Sequence, residues 1–551
     1  MNKILKITYP ILLALAIAAG ILIGARIQKN TNKANLATLS LYQPDKLSVI
    51  TRLIEKEYVD SIKKNELIEK AIPVVLDELD PHSSYIPAKE MKSVSEEMRG
   101  NFSGIGVQFI MQNDSVVVID VISGGPSQKL GILAGDRIIK VNKSTVSGIG
   151  IKSDSIVSLL RGKKGTTVNV SIHRDGFKNM IDYDIVRSEI PIFSIDVSYM
   201  IKDSIGLVKV NRFAENTYDE FDKALKDLTA QGAKKLIVDL RGNSGGYLQA
   251  VFEMVDEFLP ADKMIVYTEG KARPRYEYRS TDKGTWKNGD MVVMIDEFSA
   301  SASEIFAGAI QDNDRGLIVG RRSFGKGLVQ EQIPFIDGSA LRLTVARFYT
   351  PSGRCIQKSY KNGNEEYRMD IYNRILHDEM LEKDSIHFKD SIKYYTTGGR
   401  VVYGEGGIMP DFFVPADTSA YNEFYTKVIS KNVIYTSAFN YADQNRQILN
   451  KLGGAWDIEK YLIKNNVFQQ LIKQIKSSGI SYTPTEFKES GKLIEKQLYA
   501  LIARNIIGDK GYYPIIFEID KTVQKAVQLL GKNWSSNEIA QLNSQYQLTK
   551  K

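Results

Sequence analysis

At 551 residues the chain is too long for one ordinary core and should hold about three or four domains. With 43% hydrophobic and 25% charged residues it is globular rather than disordered. Its 73 Lys+Arg against 65 Asp+Glu give a net +8 that is dispersed along the chain, not gathered into the basic face that nucleic-acid binding requires. A single cysteine, Cys355, excludes an internal disulfide and a thiolate metal site, and the four scattered histidines never show the i, i+4 spacing of a zinc helix. No metal or other cofactor is implied.

The N-terminus opens with Lys3 and Lys6, then an uncharged run over residues 7–25, closed by Arg26. That length suits a membrane-spanning helix. "AIA" at residues 16–18 has the form of a signal-peptide cleavage site, but the apolar run continues past it, so an uncleaved anchor over 1–28 is expected. Basic residues flank both ends and do not orient it. Either outcome implies export, and places the rest of the chain outside the cytoplasm, in the periplasm if the cell has an outer membrane. Residues 29–98 are expected to form a linker and then a helical region, since "LSVITRLIEKEYVD" and "NELIEKAIPVVLDELD" carry apolar residues at helical spacing before Pro81.

Over 99–187 the pattern changes to short strands and glycine turns: "FSGIGVQFI", "SVVVIDVI", "SGGPSQKLGILAGDRIIKVN", a helix "SDSIVSLLRG" and a strand "TVNVSIHRDG". This order resembles a PDZ domain, β-rich with two helices. Gly104, Ile105, Gly106 and Val107 match its carboxylate-binding loop. There the glycines let successive N–H groups converge on an anion while the next strand offers an open edge to an extended peptide.

From about Ile190 strands alternate with helices, the pattern of a layered α/β core. "AKKLIVDLRGNSGG" is a buried strand running into a glycine turn, "MVVMID" a second strand, "SEIFAGAIQDN" a helix and "GLIVG" a third strand. It leads into "GRRSFGKGLVQ", residues 320–330, close to a phosphate-binding loop. That motif needs Ser or Thr after its lysine and a helix at once; here Gly327 follows Lys326, and "LVQEQIPFIDGSALRLTVARFY" is a hairpin pattern. Nucleotide binding is set aside. "KARPRYEYR", residues 271–279, is the densest basic patch and is expected to be an exposed hairpin. After Pro410 the chain turns helical and Lys-rich.

"DPHSSYIP", "DLRGNSGG", "SASASEIFAGAIQD", "VGRRSFGKGLVQ" and "GGRVVYGEGGIMPD" occur in that order, and over about residues 40–416 the chain resembles the carboxyl-terminal processing peptidases, or tail-specific proteases, which use a Ser-Lys dyad. The resemblance implies Ser301 as nucleophile, Lys326 as general base and Gln330 as the partner that positions the lysine. It also implies an oxyanion hole from the N–H of Ala302 and of Gly245 or Gly246, which the sequence does not separate. The residue types suit the chemistry. A lysine takes a serine proton near neutral pH only if burial destabilises its ammonium form, and Gln330 can orient an amine without adding charge.

Without the resemblance, Ser299 and Ser303 compete with Ser301, and "SASE" reads as a capping box in which Ser301 merely caps a helix. Asp312 reads as a structural residue at the helix end, and Arg321 and Arg322 depart from the family pattern in a way expected to alter the charge of the site's rim.

The expected architecture is multidomain α/β: an N-terminal membrane helix (1–28), the helical region (29–98), a PDZ domain (99–187), a crotonase/ClpP-like layered α/β peptidase core (188–416) and a helical C-terminal extension (417–551). Its partners would be unfolded or tail-exposed proteins, the inner or cytoplasmic membrane through the first helix, and a second copy or an adaptor protein, with no nucleic acid. The alternative from another class is a catalytically silent PDZ scaffold that binds protein tails.

Overall fold

The structure, a computed structural model, describes residues 14, 16–23, 46–112, 114–122, 124–174, 176–386 and 392–532. The expected anchor over 1–28 falls mostly outside the described residues, and no described helix is long and apolar enough to cross a membrane. Two compact units divide after Leu79. The first holds the helices Lys46–Glu57 and Lys64–Asp77 where the apolar spacing predicts them.

The second unit is built around a six-stranded sheet in the order Ile195–Lys202, Ile205–Val210, Lys235–Asp239, Asp290–Ile295, Leu317–Gly320 and Phe412–Phe413. Its first pair is antiparallel and the rest are parallel. Parallel strands must be covered on both faces, which is why these read as unbroken apolar runs. Successive side chains alternate between two cores. Val208, Leu236, Val238, Val293 and Ile295 pack with Phe221, Val251, Phe306 and Ile310 from the helices Thr217–Ala230, Leu248–Asp256 and Ala302–Asp312. Leu207, Ile237, Val292, Met294 and Val319 face the other way, onto Val523, Ala526 and Leu529 of the helix Lys521–Leu530. At about 1.5–3 kcal/mol for each buried aliphatic side chain, that last helix is part of the peptidase core.

A second sheet joins Ser84–Ile86, Ala340–Tyr349, Met264–Gly270 and Arg273–Arg279, with Leu328–Pro334 paired to Ala340–Tyr349. The strand Ser84–Ile86 arises inside the stretch expected to be helical. The basic patch is the hairpin strand Arg273–Arg279, where Arg273 pairs with Glu331 and Arg275 stacks on Tyr267.

The PDZ module closes its own core around Val116, Val118, Ile138, Ile156, Val170 and Ile185. Val107–Gln112 is the edge strand of its sheet. The extension runs as helices from Glu423–Ser430 to Lys521–Leu530 around Phe424, Ile458, Leu498 and Ile502.

Candidate active site

Three loops leave the carboxyl ends of neighbouring parallel strands, where open α/β sheets place their ligands. Lys235–Asp239 leads to the turn 242–246, Asp290–Ile295 leads to Ser301, and Leu317–Gly320 leads to Lys326. Two ties join them: Ala300 N–H donates to Asn243 O, and Phe324 N–H donates to Ser299 O, both at 3.0 Å.

Ser301 sits at φ 55°, ψ −112°, a left-handed conformation costly for a residue with a Cβ. Ser301 and Glu304 stand in capping-box positions. Ser301 N–H donates to Glu304 Oε2 at 2.9 Å, while Glu304 N–H donates to the backbone carbonyl of Ser301 at 2.9 Å. The Ser301 hydroxyl lies beside the helix start but makes no cap hydrogen bond. Its neighbours are occupied: Ser299 Oγ donates to Leu240 O and Ser303 Oγ to Asn243 O, both at 2.9 Å within a buried setting. Of the three serines, only Ser301 leaves its hydroxyl without a hydrogen bond among the described residues.

Glu304, noted in the sequence only as a cap, joins the loops. Its buried carboxylate accepts from Ser301 N (2.9 Å), Lys326 N (2.8 Å), Gly325 N (2.7 Å) and Ser323 Oγ (2.5 Å). Burial pushes its pKa up, and the four donors pull against that shift. One carboxylate thus fixes the backbones of the expected nucleophile and the expected base. Behind the lysine loop, Gly327 N–H donates to Gln357 Oε1, Lys358 N–H donates to Gly325 O, and Arg374 donates to Ser323 O and Phe324 O.

The Lys326 ammonium makes no ion pair or hydrogen bond among the described residues. Burial first, and then the charge of Arg342, hold its pKa below the ordinary lysine value, with Glu304 and Asp80 opposing. "DPHSSYIP" forms the neighbouring wall. Asp80 accepts from His82 N, Ser83 N and Ser83 Oγ. His82, bonded to Tyr367 Oη at 2.7 Å, is pushed down to about 4 by burial and then by Lys326, against Asp80. It is neutral near pH 7. Lys358 lies over Phe324 and Tyr367 and pairs with Asp370; burial pushes it down to about 8.

The turn separates its two glycines. At Gly245, φ +101°, a Cβ would lie 2.7 Å from Ser301 Cβ and 3.0 Å from Ala302 N. Its N–H, however, already donates to Asn243 Oδ1 at 2.9 Å. Gly246 is exposed, and its N–H meets no acceptor among the described residues. Ala302 opens the helix Ala302–Asp312, so its N–H has no intrahelical partner. Gly245 therefore gives the close approach, while the free N–H groups are those of Ala302 and Gly246.

Two expectations are corrected. Gln330 makes no hydrogen bond to Lys326 among the described residues: it sits beside a β-bulge, and its amide donates to Thr344 Oγ1 at 3.4 Å. Arg321 and Arg322 add no free charge to the rim, since they pair with Glu297 at 2.7 Å and Glu379 at 2.5 Å. Asp312 is structural as expected, buried against Arg354 at 2.7 Å.

On the PDZ module, the buried segment Gly104-Ile105-Gly106 leaves the N–H groups of Ile105 and Gly106 without an acceptor among the described residues. Val107 begins the edge strand beside them. A carboxylate would satisfy both donors.

Three family models match: "Peptidase family S41" over residues 204–365, "PDZ domain" over 103–185, and a family of unknown function, DUF8443, over 424–508. A carboxy-terminal-processing protease of Bartonella bacilliformis is 37% identical over 311 residues, 55% of this chain and 70% of that protein. The carboxy-terminal processing protease CtpA of Bacillus subtilis is 32% identical over 359 residues, 65% of this chain and 76% of that protein. For CtpB of the same organism the identity is 35% over 318 residues, covering 57% of this chain and 65% of that protein, just under two thirds of its length. The chain belongs to peptidase family S41, the carboxy-terminal processing proteases, and is a serine-type peptidase with a PDZ domain.

Proposed function

We propose that the chain is an extracytoplasmic endopeptidase that binds the free C-terminus of a protein in its PDZ module and cuts near that tail with Ser301 and Lys326. The observation that carries the reading is the Glu304 carboxylate, which holds the backbone N–H groups of both residues. Ser301 Oγ attacks the scissile carbonyl carbon as its proton passes to neutral Lys326 Nζ. The tetrahedral oxyanion lies against the N–H groups of Ala302 and Gly246, at a helix N-terminus that favours negative charge. The C–N bond breaks, Lys326 returns the proton to the departing amine, and water hydrolyses the resulting ester by the same exchange.

Recognition of a free tail is supported by the two buried N–H groups without acceptors at Ile105 and Gly106 beside an open strand edge. The extracytoplasmic placement rests on the uncharged run over residues 7–25. The test is cleavage of an unfolded protein by the wild type, by Ser301→Ala and by Lys326→Ala, with the substrate's tail free or amidated. Cleavage surviving either substitution would reject the dyad; equal rates on both tails would reject tail recognition.

A further inference from the structure

The helical extension, matched over residues 424–508 by the family of unknown function, touches the PDZ module within that match and, beyond it, Arg241 just before the turn 242–246. At one end it holds the PDZ module. Arg137 Nη2 of the module bonds Asp443 Oδ2 at 2.8 Å, with both side chains half-buried. Gly135 comes so close that a Cβ there would lie 3.1 Å from Arg446 Nε and 3.3 Å from Asp443 Oδ1. Gln112, at the end of the peptide-binding edge strand, donates to Asn440 Oδ1 at 3.3 Å. Asp443 and Arg446 lie on the helix Val433–Leu449, and Arg446 donates on to Asn505 O of the helix Pro484–Ile507. The apolar core of the PDZ module and that of the extension share no residue. The contact is polar.

At the other end the extension holds the oxyanion turn. Arg241, one residue before that turn, pairs with Asp239 and with Asp520, both at 2.8 Å, and lies over Phe517. Asp520 in turn caps the helix Lys521–Leu530 that covers the catalytic sheet. Asp443 lies on a helix of the extension's own core, the helix capped by Asp520 packs in the core of the catalytic sheet, and Ile516 borders both cores.

We propose that the helical extension is the docking platform of the PDZ module, holding it through Asp443 in the orientation that delivers a bound tail to Ser301. The anchor grips Gln112 at the far end of the edge strand from Gly104-Ile105-Gly106, away from the N–H groups of Ile105 and Gly106. A polar contact with no shared apolar core suits a platform from which the module can be released, as transient domain interfaces are. The inference deepens the tail-recognition reading and rests on it.

The experiment uses the full chain as wild type, Arg137→Ala, Asp443→Ala and the double variant. Each is assayed on a denatured protein with a free or amidated C-terminus, and on a quenched peptide too short to reach the PDZ loop. The expected result is a fall of about fivefold in the free-over-amidated ratio of kcat/KM in each single variant, as for a half-buried ion pair. The double variant should be no worse than either single, and short-peptide cleavage should be unchanged. A ratio unmoved in the variants overturns the platform while tail recognition stands. Loss of short-peptide cleavage in parallel also overturns it, because the residues then act on folding. No preference in the wild type removes tail recognition, and the platform with it.

Discussion

The junction at Glu304 and the junction at Asp443 each bring distant segments together, yet they are built in opposite ways. Glu304 is fully buried, accepts four hydrogen bonds and sits within the apolar packing of Phe306, Ala302 and Ile408. Asp443 meets Arg137 across a polar contact between two separate cores. A buried, fully satisfied carboxylate is costly to disturb, because removing it leaves several donors unpaired in a low-dielectric site. A part-exposed ion pair is cheap to break. Under the proposed function the difference divides the labour: chemistry sits on the stiff junction, and substrate delivery on the soft one.

The stiff junction breaks most completely at the reacting groups themselves. Ser301→Ala and Lys326→Ala should each abolish cleavage of an unfolded protein. Lys326→Arg should fail as well, since a guanidinium keeps its proton at any working pH. Retained activity in Lys326→Arg would show that the position needs only positive charge.

Glu304→Gln comes next. Its amide NH2 would face donors that now meet a carboxylate oxygen, so kcat should fall about a hundredfold and stability by about 1–3 kcal/mol. Denaturant unfolding alongside kinetics separates the two; a stability loss with kcat intact would mean that Glu304 holds the fold but not the dyad.

Gly245→Ala is smaller in scale. The added methyl would meet Ser301 Cβ at 2.7 Å in a left-handed backbone, and kcat should drop at least about tenfold with KM little changed. Gly242→Ala, at φ +72° with open space around its Cβ, is the control for backbone strain alone and should cost about 1 kcal/mol of stability without a comparable loss of kcat.

At the soft junction the effect on folding should be least. Arg137→Ala should lower global stability by less than about 1 kcal/mol in denaturant unfolding. A loss several times larger would make Asp443 another stiff junction.

The sequence carries the parts of this account that depend on local pattern. Alternating strands and helices, the serine at a helix start and the lysine in a tight glycine loop are all continuous in the chain, and all lie where the spacing predicts. What it does not carry is pairing across long separations. Asp443 stands 306 residues from Arg137, and Asp520 stands 279 from Arg241, with no periodicity linking either pair. For the same reason Lys521–Leu530 reads only as one more amphipathic helix, although it covers the back of the catalytic sheet. Glu304 was visible, but as a cap: its bonds to Ser323, Gly325 and Lys326 arise because the loop after Leu317–Gly320 folds back over the helix start. Gln330 lies at a bulge that the sequence does not announce, and its amide meets Thr344 rather than Lys326.

The pH dependence of kcat/KM on a short peptide is the sharpest check that Lys326, half-buried and without an ion pair among the described residues, is the base. Burial and Arg342 depress the amine's folded pKa, so the neutral, active form accumulates as pH rises through that lowered value. A rising limb well below about 10.4, the ordinary lysine value, is expected, and it should move upward in Arg342→Gln. A limb near pH 4, or one near the ordinary lysine value that Arg342→Gln leaves in place, would contradict Lys326 as the base.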